Sequence, residues 1–209
     1  MSLLSVDQGL ADFAAIISFL KGRYNTTNTV VMGCSYIGAG ASWFRAQYPN
    51  LITGAVASSA PVLAVADFFK YLDQVELSIS EQFGQVCDQN IRDAFDAAIP
   101  LFKTPAFATQ FNLCESPQTS DDVSTLVMSI ASSAMGVVQY DFELPDNNIV
   151  HMCSVIGNAS TPLQGLADFF VQSNGGQCAD VSYKSFISQL ANTTYTPASN
   201  MRQWTYQVR

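Results

Sequence analysis

The stretch Val30–Gly38, which reads VVMGCSYIG, decides the fold of this chain. An apolar run that favours a β-strand leads into a Gly-x-Ser turn, and the residues after the serine are typical of a helix. A sharp strand-to-helix turn around a serine is the setting of a nucleophile elbow, whose strained backbone lifts the hydroxyl above the sheet edge. The pattern differs from Gly-x-Ser-x-Gly, because Ile37 stands at the second glycine position and Gly38 follows it. The alternative is an ordinary strand–turn–helix in which Ser35 only begins the helix.

The segments around this stretch alternate between helix and strand. Ser5 and Gln8 form a capping-box pattern at the start of a helix, and Gly22 is its predicted end. Helix, strand, helix and strand within sixty residues are typical of an α/β domain with a parallel sheet. The predicted elements are helices over Val6–Lys21 and Tyr36–Tyr48, strands over Thr29–Met32 and Thr53–Ala57, and a turn at Ser58–Pro61.

The chain changes character after about residue 66. Helical periodicity dominates from there to about residue 175, with Ser120 as a good N-cap, whereas the tail Arg202–Arg209 favours β structure. We therefore expect three parts: 1–66 with the elbow, a helical insert over 67–175, and a return to the first domain over 176–209. The predicted helices of the insert are Asp67–Phe83, Asp88–Phe102, Asp121–Met135 and Pro162–Gln172.

Composition and charge exclude several functions. The 209 residues carry 9 Lys and Arg against 17 Asp and Glu, a formal net charge of −8. Such a chain repels phosphate backbones, so we expect no nucleic-acid partner. The longest apolar stretch, Leu51–Phe69, is interrupted by Pro61, so no membrane span is expected. No basic residue precedes Lys21, so no signal peptide is predicted within this chain.

Cysteines and glycosylation sequons together indicate an oxidising compartment. Sequons begin at Asn25, Asn158 and Asn192. The five cysteines are at least 25 residues apart, which excludes a CxxC motif and favours two disulfides with one free thiol. Five buried, reduced thiols are the alternative. A secretory type of chain without a signal peptide suggests that Met1 is not the natural N-terminus.

The sequence offers a nucleophile candidate but no convincing base. A serine needs a histidine, normally held by a carboxylate, to become nucleophilic. The single histidine, His151, lies in the helical region two residues before Cys153, so we interpret it as a structural residue. One histidine and no carboxylate cluster predict no metal site, and Gly38-Ala39-Gly40 lacks the features of a phosphate loop, so no cofactor is expected. The aromatics predicted for the core are Trp43, Phe44, Phe68, Phe69 and Tyr71.

Several segments together resemble the serine peptidase family of lysosomal Pro-X carboxypeptidase, dipeptidyl peptidase II and thymus-specific serine protease. The most specific are the elbow with its Trp-Phe-Arg helix and the Ala-Ser-Ser-Ala-Pro turn, and the resemblance spans nearly the whole chain. The matching stretches are LSVDQGLADFA from Leu4, GCSYIGAGASWFRAQY from Gly33, PNLITGAVASSAPV from Pro49 and RQWTYQ from Arg202; DFFKY from Asp67 and VQYD from Val138 look most like the thymus-specific branch.

The resemblance implies an α/β-hydrolase fold with a helical cap insert and peptide substrates. It implies a proline-directed serine exopeptidase with Ser35 as nucleophile and the Tyr36 N–H as oxyanion donor, in a lysosomal, endosomal or secreted setting. It also implies the disulfides Cys87–Cys153 and Cys114–Cys178, which leave Cys34 as a free thiol. The family's catalytic aspartate and histidine lie in a C-terminal portion, so this chain is expected to be a partial member with an incomplete sheet.

Two other functions are kept open. A degenerate or partial homologue could bind peptides or partners without catalysis, because the chain offers no base for Ser35. A different α/β-hydrolase, such as an esterase, is supported by fold analogy alone. The sequence predicts no oligomeric state.

Overall fold

The computed structural model describes residues 3–143, 148–194 and 200–208. The chain divides into two compact units, Met1–Asp67 with Thr194–Arg209, and Phe68–Thr193. The first unit contains α1 (Val6–Tyr24), β1 (Val30–Cys34), α2 (Ser35–Gln47), β2 (Gly54–Ser58) and α10 (Met201–Gln207). The second contains α3 (Lys70–Phe83), α4 (Gln85–Ala98), a 3₁₀ turn (Ile99–Leu101), α5 (Pro105–Gln110), α6 (Ser120–Gln139), α7 (Ile149–Asn158), α8 (Pro162–Ser173) and α9 (Tyr183–Ala191).

The first unit has the predicted order of helix, strand, helix and strand. Strands β1 and β2 pair in parallel, from Val30 opposite Gly54 to Cys34 opposite Ser58. The prediction of a parallel α/β arrangement is confirmed, as a small sheet in a mostly helical chain. Its apolar core lies where α1 and α2 cover this sheet and is formed by Leu10, Ala14, Ile17, Val31, Ala41, Phe44 and Ile52.

Two predictions of local structure in the first unit are wrong. Helix α1 does not end at Gly22 but continues to Tyr24, because Asn25 adopts the left-handed conformation (φ 50°) that closes the helix. The tail predicted to favour β structure forms the short helix α10 instead. Trp204 of this helix packs edge-to-face on Tyr36, with ring centroids 5.8 Å apart, so a tertiary contact overrides the β preference of the tail.

The second unit is a helical assembly with its own core. Six of its seven described α-helices contribute buried side chains to this core, and α9 contributes none. Within the core, Phe107 stacks on Phe111 with ring centroids 4.1 Å apart. Helices α7 and α8 cross closely, since a Cβ on Gly165 would lie 2.6 Å from the Ile156 Cα. The unit contains the disulfides Cys87–Cys153 and Cys114–Cys178, the pairs that the resemblance implies. None of the described helices combines the length and hydropathy needed to cross a bilayer.

The helical region differs from its prediction in several details. Helices α5, α7 and α9 were missed, and α6 is capped by Thr119 rather than Ser120, through a reciprocal capping box with Asp122. Phe68 and Phe69 are 51% and 61% exposed instead of lying in the core, whereas Phe44 is fully buried. Residues 176–193 belong to this compact unit, because Cys178 is bonded to Cys114 and Val181 is buried in its core. The domain boundaries at 66 and 175 stay predictions.

Candidate active site

The junction between β1 and α2 places Ser35 in a strained conformation. Strand β1 ends at Cys34, α2 begins at Ser35, and the φ angle of Ser35 is 56°. A residue other than glycine adopts this left-handed conformation only where its surroundings impose it, at a cost of about 1–3 kcal/mol. Its side chain is exposed at the end of the strand. The geometry is therefore that of a sharp turn which presents a serine to solvent.

Gly33 allows the first turn of α2 to fold back against the strand. A Cβ at this position would collide with the Ile37 carbonyl oxygen and lie 2.8 Å from the Gly38 nitrogen. Real Cβ atoms do not approach other heavy atoms this closely, so only glycine fits without a backbone shift. The first glycine of the Gly-x-Ser turn is thus required by a close contact between backbone atoms.

The second small residue of the turn is Gly38. A Cβ there would lie 2.8 Å from the Ser58 carbonyl oxygen and 3.2 Å from the Ala60 Cβ, so α2 packs directly on the end of β2. Ile37, which occupies the usual glycine position, is 64% exposed and points away from this contact. The motif is therefore satisfied one residue later than in Gly-x-Ser-x-Gly.

A second serine lies at the same edge of the sheet. Strand β2 ends at Ser58, and Ser59 has a φ angle of 46° in the turn before Pro61. The register pairs Cys34 with Ser58. The carboxyl ends of the parallel strands therefore coincide, at the edge where ligands bind in open α/β sheets.

Tyr36 connects this turn to the C-terminal helix α10. Its ring packs edge-to-face against Trp43 and Trp204, with centroids 6.2 and 5.8 Å away, and its hydroxyl oxygen lies 3.5 Å from the Gln207 Nε2. Its backbone N–H belongs to the first turn of α2, where N–H groups lack partners within the helix and carry the positive end of the helix dipole. Sequence reasoning missed the role of α10, although Trp204 and Gln207 are spaced to share one helical face.

An apolar cavity of about 360 Å³ adjoins the same turn inside the first unit. It lies between α1, β1 and α2, and its walls include Leu10, Phe13, Met32, Ile37, Trp43 and Gln207. Sequence reasoning did not identify this cavity, because its walls come from segments that are far apart in the chain.

The first unit supplies no described base for Ser35. The chain's single histidine is in the second unit, and no carboxylate hydrogen-bonds to the Ser35 side chain within residues 3–67 and 200–208. His151 lies on α7 with its Nε2 3.3 Å from the Gln172 Oε1, and its backbone N–H donates to the Asn148 side chain. What the described residues provide is a positioned hydroxyl next to N–H groups that have no partner within the helix.

The remaining predicted sites have the following surroundings. Cys34, beside Ser35, is exposed and not disulfide-bonded. Asn25, Asn158 and Asn192 are all exposed, so their side chains are accessible. No group of three or more His, Cys, Asp or Glu side chains suited to a metal ion occurs among residues 3–143, 148–194 and 200–208.

Comparison with known proteins relates this chain to one peptidase family. The family model described as "Serine carboxypeptidase S28" matches residues 1–208. A Caenorhabditis elegans protein that carries a serine-protease name is 33% identical over 100% of the chain and 44% of its own length. The mouse thymus-specific serine protease is 30% identical over 98% of the chain, and the bovine lysosomal Pro-X carboxypeptidase is 29% identical over 100%. The chain spans about 45% of the length of each of these two enzymes.

The close packing of α2 on β2 predicts a large difference between two glycines of the same helix. We expect Gly38→Ala to lower the free energy of unfolding by about 1–3 kcal/mol, because its Cβ would press on the Ser58 carbonyl. The control is Gly40→Ala, whose Cβ meets nothing within 4 Å and which should stabilise the helix by about 0.5–1 kcal/mol. Urea titrations followed by circular dichroism measure both changes. Equal effects would contradict the close contact.

Proposed function

The chain belongs to the serine carboxypeptidase S28 family, and from this membership we propose that it is the part of a serine exopeptidase that carries the nucleophile, Ser35. The observation that carries the proposal is the φ angle of 56° at Ser35, where β1 turns into α2. The strained turn holds the hydroxyl exposed at the sheet edge. Backbone strain of this kind clusters at active sites.

The start of α2 is suited to stabilising the reaction's negative charge. Attack by Ser35 on a peptide carbonyl generates an oxyanion, and the Tyr36 N–H lies in the first turn of the helix that begins at the nucleophile. We propose this N–H as one oxyanion donor. The Tyr36 ring packs against Trp43 and Trp204, and these contacts help to hold the residue in place.

The base is proposed to come from outside this chain. The relatives are more than twice as long as the chain, and no described carboxylate or histidine of the first unit reaches Ser35. A catalytic histidine and aspartate supplied by residues beyond 209 would complete the arrangement, with the histidine taking the serine proton and the aspartate orienting the ring. The helical insert predicted over 67–175 is proposed to act as a cap that limits access to peptide ends, which would make the enzyme an exopeptidase.

Proline-directed cleavage is the proposed specificity. It is supported by the Pro-X carboxypeptidase name of relatives that match the whole chain. The segments that look most like the thymus-specific branch contact each other in the second unit, where the Tyr71 hydroxyl donates to the Gln139 Oε1 at 2.7 Å.

We place the protein in lysosomes, endosomes or the extracellular space, since it contains two disulfides and three exposed sequon asparagines.

A non-catalytic, peptide-binding homologue is the second candidate. The lack of a described base beside Ser35 favours it, because a serine without its base loses most of its catalytic power. The first experiment below separates the two candidates.

We expect a fluorophosphonate probe to label Ser35 only when the chain is expressed together with the coding sequence that follows residue 209. The 209-residue chain alone should remain unlabelled, since an unactivated serine does not react at a useful rate. Gel fluorescence after labelling, with circular dichroism to confirm folding, is the measurement.

The control for this labelling is Ser59→Ala, which removes another serine of positive φ at the same sheet edge and should leave labelling unchanged, whereas Ser35→Ala should abolish it. Failure of the folded, extended chain to label would refute Ser35 as an activated nucleophile and favour the non-catalytic candidate. Labelling of the 209-residue chain that is lost in Ser35→Ala would show that the base lies within it and return attention to His151.

Proline specificity is tested on two pentapeptides that differ only in Pro or Ala before the scissile bond. We expect the extended chain to cleave the Pro peptide at least about 10-fold faster, because a pocket shaped for the ring loses contacts with the smaller side chain. Mass spectrometry of the products shows whether one or two residues are removed and from which end. Equal rates would refute the specificity, and cleavage that persists in Ser35→Ala would indicate a contaminating peptidase.

Glycosylation is expected at Asn25, Asn158 and Asn192 when the chain is directed into the secretory pathway of a eukaryotic host. Treatment with a peptide N-glycosidase should shift the electrophoretic mobility, and each Asn→Gln substitution should remove one step of the shift. Asn174→Gln, which lies in no sequon, is the control. Unchanged mobility of the wild-type chain would argue against a secretory route.

A further inference from the structure

A wide groove runs along α6 in the second unit, and its lining contains none of the residues proposed for catalysis. One part of the groove is a cavity of about 650 Å³. It lies where the C-terminal end of α8 and the helix α9 face α6. A second cavity of about 470 Å³ shares Ser129, Ser132, Ser133 and Ser173 with it and extends toward Tyr140 and Glu143. The two form one continuous groove, whose α6 wall from Thr125 to Tyr140 is about 22 Å long.

The walls of the groove are held in place by contacts within the unit. The Asp122 carboxylate on α6 accepts hydrogen bonds from the backbone N–H groups of Thr119 and Tyr183, which ties the start of α9 to the start of α6. These bonds lower the pKa of Asp122 to about 2. The Cys114–Cys178 disulfide fixes the chain just before α9. The groove is therefore preformed, which reduces the entropic cost of binding a ligand.

Four hydroxyl groups that line the groove offer acceptors, because their protons are used within the helices. The hydroxyls of Thr125, Ser129 and Ser133 each donate to the carbonyl four residues earlier in α6, at 2.9, 2.8 and 3.2 Å. The Ser173 hydroxyl likewise donates to the Phe169 carbonyl. With their protons used inside the helices, these oxygens present lone pairs to the groove.

Charge in and around the groove is negative. Asp121 and Asp180 line one end and Glu143 the other, and no Lys or Arg occurs among the described residues that line it. Residues 68–193 contain 4 Lys and Arg against 14 Asp and Glu, whereas the rest of the chain contains 5 against 3. The negative charge of the whole chain is thus concentrated in the unit that carries the groove.

Aromatic and apolar side chains form the opposite wall. Tyr183 and Phe186, which are 41% and 37% exposed, line the groove together with Met128, which is 62% exposed, whereas Phe170 is only 4% exposed and belongs to the core. Aromatic faces attract cationic side chains and also bury the aliphatic stems of lysine and arginine. The surface therefore combines acceptor oxygens, carboxylates and aromatic rings.

We propose that this groove binds an extended, basic peptide segment in which Lys or Arg alternates with aromatic or apolar side chains. The ammonium and guanidinium donors match the acceptor oxygens and carboxylates, and the apolar side chains match the aromatic wall. At about 3.3 Å per residue, six or seven residues fill the α6 wall. The proposal does not rest on the peptidase function, because the groove lies entirely within residues 68–193.

The test is fluorescence polarisation on the 209-residue chain carrying Ser35→Ala, so that no cleavage can contribute. The probe is the fluorescein-labelled hexapeptide Lys-Phe-Arg-Tyr-Lys-Phe, compared with a peptide in which Gln replaces each Lys and Arg. We expect saturable binding of the basic peptide, weakened by added salt, and at least about 10-fold weaker binding of the Gln peptide.

Two pairs of variants locate the binding. Asp121→Asn removes a negative charge and should weaken binding about threefold to fivefold. Ser132→Arg adds bulk inside the groove and a positive charge that repels the basic peptide, so it should weaken binding about tenfold or more. The controls Asp96→Asn and Ala97→Arg make the same charge changes at exposed positions of α4 and should bind like the parent chain. Circular dichroism checks that each variant is folded.

No binding by the parent chain, or equal binding of the two peptides, would overturn the proposal. So would unchanged binding in Ser132→Arg, or an equal loss in Ala97→Arg, since the latter would show attraction to net charge without a site. Failure of Ser35 to label in the extended chain leaves this result unaffected, so the two proposals fail separately.

Discussion

The first unit depends on one constraint, the direct contact of the start of α2 with the ends of β1 and β2. No Cβ fits at Gly33 or Gly38 without a backbone shift, and Ser35 between them is held in the left-handed conformation. The contact brings the first turn of α2, whose N–H groups have no partner within the helix, next to the Ser35 hydroxyl. The packing of α2 on the sheet, through buried residues such as Phe44 and Ala41, offsets the unfavourable conformational free energy of Ser35.

The second unit is built on a different principle. Its described residues form no sheet, and its helices are held by an apolar core, by the close crossing of α7 and α8 and by two disulfides. It contains 14 of the 17 acidic residues, so the negative charge of the chain belongs mainly to this unit.

Local pattern predicted those elements whose signals are local. The strand-to-helix turn could be predicted because a strand, a glycine, a serine and a helix follow each other within nine residues. The Ser5 cap could be predicted because it accepts from the Gln8 backbone N–H three residues away, although the Gln8 side chain bonds Asp12 and does not complete the predicted capping box. Phe68 and Phe69 could not be placed, since an aromatic residue near a helix start packs inside or stays exposed according to neighbours distant in the chain. The prediction of β structure for the tail was wrong for the same reason, because the contact of Trp204 with Tyr36 joins residues 168 positions apart.

The sequence by itself determined the order of helix and strand in the first sixty residues, the membership of the serine carboxypeptidase S28 family and the identity of the candidate nucleophile. Only the tertiary structure decided that Gly38 replaces the missing glycine, that Ile37 is exposed, and that α6, α8 and α9 enclose a groove rich in acceptors. The local sequence determines backbone conformation and the pattern of polar and apolar positions, because both depend on neighbouring residues. Contacts, cavities and the direction of a hydroxyl proton depend instead on atoms that folding brings together from separate segments.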